Sequence, residues 1–122
     1  MNSKEFYEQL KIKMDQYAHF VYKITRNFPK EEMYGITSQL TRASLSVILN
    51  YIEGFARRKQ NSFLNFLEIS YGSLKESKYL LHFSLKEKFL NKKDYNEAIK
   101  LAEEIGAMLW TLLKSLDKKI KK

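Results

Sequence analysis

Apolar residues recur three or four positions apart along most of the chain, the period of an α-helix with one buried face. The first stripe runs Phe6, Leu10, Met14, Tyr17, Val21, Ile24, Phe28 and predicts a helix over about 3–26. Pro29 ends it, because proline pushes the preceding residue out of the helical region. Glu31 and Glu32 favour one further turn by opposing the helix dipole, and Gly35 breaks that turn. Thr37 is the expected N-cap of a second helix over about 37–57, and Lys59 or Asn61 marks the start of a third over about 60–87. Asn91 is the expected N-cap of a fourth helix over about 92–119, with the stripe Ala98, Ala102, Ile105, Leu109, Leu112, Leu116. The connections are short, so successive helices should run antiparallel. The expectation is one all-α domain over residues 1–122, an antiparallel up-down-up-down four-helix bundle.

The second helix carries more apolar surface than such a bundle needs. Ile36, Leu40, Ala43, Val47, Tyr51 and Gly54 share one face, while Leu45, Ile48, Leu49, Ile52, Phe55 and Ala56 lie to the other side. A helix apolar nearly all round is buried nearly all round. Its polar residues, Gln39, Arg42, Ser46, Asn50, Glu53 and Arg57, fall in one seam about 80° wide at 100° per residue. Two readings follow. The seam is either a buried hydrogen-bond network within the chain, with Glu53 and Arg57 paired four apart, or the lining of a subunit interface or central channel. In the third helix Phe63, Leu67, Leu74 and Leu81 form the core stripe. Phe66, Ile69 and Leu80 widen it on one side, and Tyr71 and Phe89 on the other. Two helices of this kind in a small chain imply self-association. Gly72 lies opposite the stripe, where it costs about 1 kcal/mol relative to alanine. It suits either close approach of another backbone or a neutral surface position.

Composition then narrows the chemistry. Among 122 residues there is no cysteine, which excludes a disulfide scaffold, thiolate metal sites and thiol catalysis. The two histidines, His19 and His82, belong to no Glu-x-x-His pair of the kind that holds two irons in a bundle. No glycine-rich phosphate loop or nucleophile elbow occurs. The expectation is a protein that is not an enzyme and uses no metal or cofactor. The first residues do not resemble a signal peptide, and no apolar run reaches membrane-spanning length. A cytoplasmic protein is expected.

Lysine and arginine number 22 against 14 acidic residues, a formal net charge of +8. By segment it is +2 over 1–28, +1 over 29–58, +2 over 59–90 and +3 over 91–122. In the last segment Lys93, Lys100, Lys114, Lys118 and Lys121 fall within about 80° of one another, with Glu103 the main acid among them. This row is either a solvated helix face or a strip that touches phosphates without reading bases.

Several motifs resemble a known family. Phe28-Pro29-Lys30-Glu31-Glu32, then Gly35-Ile36-Thr37-Ser38-Gln39-Leu40 and Arg42-Ala43, look like its second-helix opening. Asn50, Glu53-Gly54 and Arg57 match its asparagine–x–x–glutamate–glycine–x–x–arginine signature. Phe66-Leu67, Ile69 and Gly72-Ser73-x-x-Glu76 match its third-helix motif. The family is that of the 23S rRNA intervening-sequence proteins, to which the accessory protein of diversity-generating retroelements is similar. The resemblance implies a small helical bundle assembling into homopentameric rings. The retroelement relative is basic, binds nucleic acid and partners a reverse transcriptase. The motif positions carried over are Gln39, Arg42, Asn50, Glu53, Gly54, Arg57, Gly72, Ser73 and Glu76. This chain departs at Thr41, where the family often has a second arginine, at Ile48, where it often has proline, and at Leu49 and Ile52, where small residues are common. Without that proline the second helix should be straighter.

The function expected is therefore a non-enzymatic homo-oligomer, pentameric by resemblance, that binds RNA or DNA electrostatically as an accessory factor. The seam, with Gly72, Ser73 and Glu76, would set assembly, and the lysine row would touch nucleic acid. The rival is a structural or protein-partner module in which the charge serves solubility or docks an acidic protein.

Overall fold

The computed structural model describes the backbone of residues 1–121 and the side chains of residues 1–119. Four helices follow one another: α1 (Ser3–Thr25), α2 (Ile36–Phe55), α3 (Gln60–Lys86) and α4 (Lys92–Lys121), with a 3-10 turn at Lys30–Glu32. No strand occurs among the described residues. Cross-helix pairs show the antiparallel order. Along α2 and α3, Ser46 meets Ser73, Val47 meets Ser70, and Gly54 meets Phe63 and Phe66. Between α3 and α4, Tyr71 lies by Trp110, Leu74 by Gly106 and Lys78 by Glu103. Each helix packs on its neighbours in the cycle α1, α2, α3, α4 and back to α1, so α2 and α4 stand diagonally opposite.

The caps explain where the elements begin. Asn91 caps α4, its Oδ1 accepting from the Asp94 N–H at 2.7 Å, and Asn2 does the same for α1 through Glu5 at 2.9 Å. Thr37 is not the cap of α2. The helix starts one residue earlier, behind Gly35, and Glu32 Oε1 reaches over to accept the Ile36 N–H at 3.3 Å. A carboxylate on the preceding turn thus supplies the acceptor expected of a threonine. α2 runs unbroken from Ile36 to Phe55 through the position of the family's proline.

Every residue of the α1 stripe is buried except Phe6, which packs against the core from its edge. All six stripe residues of α4 are buried, joined by Leu113. On α3 the periodicity holds a feature that apolar counting misses. Leu67, Leu74 and Leu81 recur every seven residues, and Ser70, Ser77 and Ser84 follow each by three, all six with no exposed surface. Ser70 lies against α2, and Ser77 leaves room for the Tyr17 ring that reaches across the core from the diagonal helix α1. Their hydroxyls are satisfied by donating to main-chain carbonyls: Ser70 to Val47 across the α2 interface at 2.6 Å, Ser77 to Leu74 and Ser84 to Leu80 within α3. A serine every seventh residue, in register with a leucine heptad, was the available signal.

Two glycines separate cleanly. A Cβ on Gly54 would lie 3.0 Å from a Phe63 ring carbon and 3.2 Å from Phe66 Cβ. A Cβ on Gly72 would meet nothing within 4 Å, so no backbone of this chain approaches there. Overpacking costs about 1–3 kcal/mol, against a helix-propensity gain of about 1 kcal/mol. Gly54→Ala is therefore expected to lower stability by up to about 2 kcal/mol and Gly72→Ala to raise it by about 1 kcal/mol. Urea unfolding midpoints of the two variants, moving in opposite directions, check this.

Candidate assembly face and nucleic-acid face

α2 presents two faces of different character. Leu40, Ala43, Val47, Ile48, Tyr51 and Gly54 enter the core, while Leu45, Leu49, Ile52 and Phe55 stay exposed, Leu49 by 52%. From α3, Ile69 adds a further exposed side chain at 51%. Ile48, which its spacing sets among the outer residues, turns into the core, and Phe55 is edged by the Tyr7, Tyr51 and Phe63 rings, so Leu45, Leu49 and Ile52 are the α2 side chains that packing leaves uncovered. Between α2 and α3 opens a cleft of about 600 Å³, floored by Ala43 and walled by Leu45 and Leu49. The seam residues Gln39, Arg42, Ser46 and Asn50 line it from α2, and Ser73 and Glu76 from α3.

The seam is not one buried network. It divides into three parts. Asn50 Nδ2 donates to the Ser46 carbonyl at 2.9 Å and to Ser46 Oγ at 2.8 Å, and Ser46 Oγ is 2.8 Å from Ser73 Oγ. This half-buried cluster ties α2 to α3. Toward the end of α2, Arg57 donates to Glu53, and its guanidinium lies 4.8 Å from the Phe66 ring centre. Both ends of that pair are exposed, where such a pair adds little stability. At the other end Gln39, Arg42 and Glu76 are exposed, and their side chains make no hydrogen bond or ion pair among the described residues. An arginine and a glutamate line one cleft without engaging each other, flanked by uncovered leucines.

α4 turns a different surface outward. Lys93, Lys100, Lys114 and Lys118 are all exposed on the side opposite the buried stripe. The side chain of Lys121 lies outside the described residues. Two acids of α4 are drawn to its flanks. Glu103 accepts from Lys78 of α3 at 3.2 Å and Glu104 from Lys13 of α1 at 2.9 Å. The hydrogen bond from Lys13, with its charge, holds the Glu104 carboxyl below the usual range. Glu103, which the sequence sets among the lysines, is thus engaged by α3, and none of the four lysines forms an ion pair among the described residues. The remaining candidates of acid–base chemistry stand apart. His19 is exposed beside Asp15, His82 is exposed near the Tyr79 ring, and no three His, Asp or Glu converge among the described residues. No described helix is long and apolar enough to cross a membrane.

The model of the 23S rRNA-intervening sequence protein family matches residues 8–111, which takes in the α2–α3 seam and ends within α4, before Lys114 and Lys118. The chain belongs to that family. The intervening-sequence fold is also seen in the crystal structure of a protein of unknown function from the S23 ribosomal protein family of Bacteroides thetaiotaomicron. The two superpose with a TM-score of 0.83 over 89% of this chain and 98% of that one, at 19% sequence identity. At that identity the likeness concerns the fold. No curated protein matches the chain. The asparagine–glutamate–glycine–arginine signature of this intervening-sequence protein acquires a physical content here. Asn50 bridges to Ser46, Glu53 pairs with Arg57, and Gly54 makes room for Phe63.

Proposed function

We propose that this intervening-sequence protein is a non-enzymatic homo-oligomer that binds RNA or DNA through its charge, as an accessory factor in a nucleic-acid process. One observation carries the reading: the uncovered apolar face of α2 and the unpaired lysine row of α4 lie on diagonal helices. Subunits joined through α2 and α3 keep α4 outward, so assembly and phosphate contact do not compete for one surface. Burial of Leu45, Leu49, Ile52 and Ile69 would supply the hydrophobic gain, about 25 cal/mol per Å² removed from water. Arg42 of one subunit and Glu76 of another supply complementary charges. With the pentamer of the family, five chains of +8 make a field of about +40, which concentrates polyanions at the surface.

The direct test is binding of RNA and DNA at low salt. Affinity should fall steeply as salt rises, because neutralising phosphates releases counterions. Absence of measurable binding to either at low salt refutes the nucleic-acid role and leaves the protein-partner module. Assembly is tested separately. Light scattering at micromolar concentration should give a multiple of the chain mass, and Leu49→Asp should shift it toward the single chain. Arg42→Glu should disturb association more than Lys100→Glu, and restoring complementarity with Glu76→Arg in the same chain should recover it. A monomeric wild type, or equal small effects at Arg42 and Lys100, contradicts the assignment of the α2–α3 face.

A further inference from the structure

The end of the bundle where α1 passes to α2 holds a second cleft, about 560 Å³, that neither the seam nor the lysine row uses. Arg26 and Lys30 line it, both exposed, and no carboxylate lines it. Neither cation forms an ion pair among the described residues. Tyr34, 93% exposed, and Tyr22 line it as well, and neither ring packs against another aromatic ring. The chain gives no folding reason for a tyrosine held with both ring faces in water. The hydroxyls of Thr25 and Thr41 donate to main-chain carbonyls. Those of Thr37 and Ser38, in the same wall, have no partner among the described residues.

A second open aromatic cleft differs in charge. It lies between α3 and α4, around Tyr71 and the half-exposed Trp110, whose rings already pack on each other at 5.7 Å. Glu68 and Asp117 line it beside Lys114, so its charges do not favour a polyanion. Of these two clefts, the one between α1 and α2 combines free ring faces, free hydroxyl donors and two lining cations with no lining carboxylate, Glu31 and Glu32 standing next to Lys30 on the turn but outside the lining.

We infer that this cleft is a subsite for one unpaired nucleotide of a single strand, its phosphate on Arg26 and Lys30 and its base stacked on Tyr34. Tyr22 adds a second ring to the lining, and Thr37 and Ser38 donate to sugar or phosphate oxygens. Duplex bases are stacked on each other and cannot reach the ring, so the subsite favours single strands. The inference rests on the nucleic-acid reading above and adds to it a site and a strand preference that the α4 row, touching phosphates alone, does not provide.

The test compares a fluorescein-labelled homopolymeric oligonucleotide with a duplex of equal length, by anisotropy at low salt, on the full chain. Tyr34→Ala should weaken single-strand binding by about tenfold and leave duplex binding unchanged. Tyr34→Phe, which keeps the ring, should retain the wild-type affinity. Replacing Arg26 and Lys30 by glutamine should flatten the single-strand salt slope by about 1.4, two contacts' worth. Tyr34 is almost wholly exposed, so these variants should fold as the parent does, which their circular dichroism shows. Equal strand and duplex losses in Tyr34→Ala, or none, overturn the subsite while the α4 row stands. Loss in Tyr34→Phe equal to that in Tyr34→Ala overturns stacking. A wild type that binds neither strand nor duplex overturns both the subsite and the function it rests on.

Discussion

Neutralising Lys93, Lys100, Lys114 and Lys118 together by glutamine is expected to weaken RNA and DNA binding, by a factor roughly a hundredfold larger at 50 mM salt than at 200 mM. The size follows from counterion release. Four lysines, each meeting one phosphate, contribute about 3–4 to the slope of log affinity against log salt, so a fourfold rise in salt changes affinity by roughly a hundredfold. The variant should accordingly show both the weaker binding and a slope flatter by about 3–4. It keeps the bundle, because all four side chains are exposed and none pairs within the chain among the described residues. A control with Lys4, Lys11, Lys23 and Lys88 changed in the same way removes equal charge from other exposed positions. Its loss should be several-fold smaller. Equal losses in the two variants would assign binding to overall charge, and an unchanged affinity in the α4 variant would remove that face from the function. The same pair of measurements distinguishes a localised contact from the diffuse attraction of any +8 protein for a polyanion.

The second large effect is on stability at high pH. Tyr17 has no exposed surface, and burial pushes its hydroxyl up to about 12, against the smaller opposing effect of its hydrogen bond with Ser77. Burial raises Tyr51 as well, with Tyr7 adding to it. Both groups are held protonated in the folded chain above the pH at which they ionise when unfolded, about 10. Stability from each is fully present below pH 10 and is lost as pH rises through the folded value. For Tyr17 the loss is about 2–3 kcal/mol between pH 10 and 12, and Tyr51 adds to it. Thermal unfolding followed across this window should show a falling midpoint. Tyr17→Phe should make the fall shallower, since it removes one of the titrating groups. A wild type and Tyr17→Phe variant declining in parallel would deny Tyr17 that role.

The same site carries an asymmetry at neutral pH. Ser77 donates its one hydroxyl hydrogen to the Leu74 carbonyl at 2.8 Å, so Tyr17 donates to Ser77 across 2.7 Å. Tyr17→Phe leaves Ser77 satisfied and costs about 1 kcal/mol. Ser77→Ala strands the Tyr17 hydroxyl in the core and should cost more, about 1–3 kcal/mol plus a small cavity. The heptad of serines on α3 is thus a set of specific main-chain and side-chain bonds and not a row of fillers.

The stripe from Leu10 to Ile24 on α1 and that from Ala98 to Leu116 on α4 are buried as their spacing says, because a helix with one apolar side has one way to lower its free energy against neighbours. Asn91 caps α4 as its type predicts, because its acceptor lies within its own turn. The start of α2 was not legible in the same way, since its acceptor comes from Glu32 through the geometry of the preceding turn. The motif residues were legible as a set, but their division was not. Ser46, Asn50 and Ser73 join two helices, Glu53 and Arg57 pair on the surface, and Gln39, Arg42 and Glu76 stay unengaged. Sequence spacing places residues on one face of one helix; which of them meets a partner depends on the helix lying beside it.

Taken alone, the sequence determined the four helices, their antiparallel order, the core stripes and the presence of a lysine row, because each is fixed by periods and caps within one element. Tertiary structure decided three things that no single element contains. It left Leu45, Leu49, Ile52 and Ile69 uncovered, it drew Glu103 and Glu104 away to α3 and α1, and it put the apolar face and the lysine row on diagonal helices. Each of these depends on what stands next to a residue in space, which the order of residues along the chain does not state.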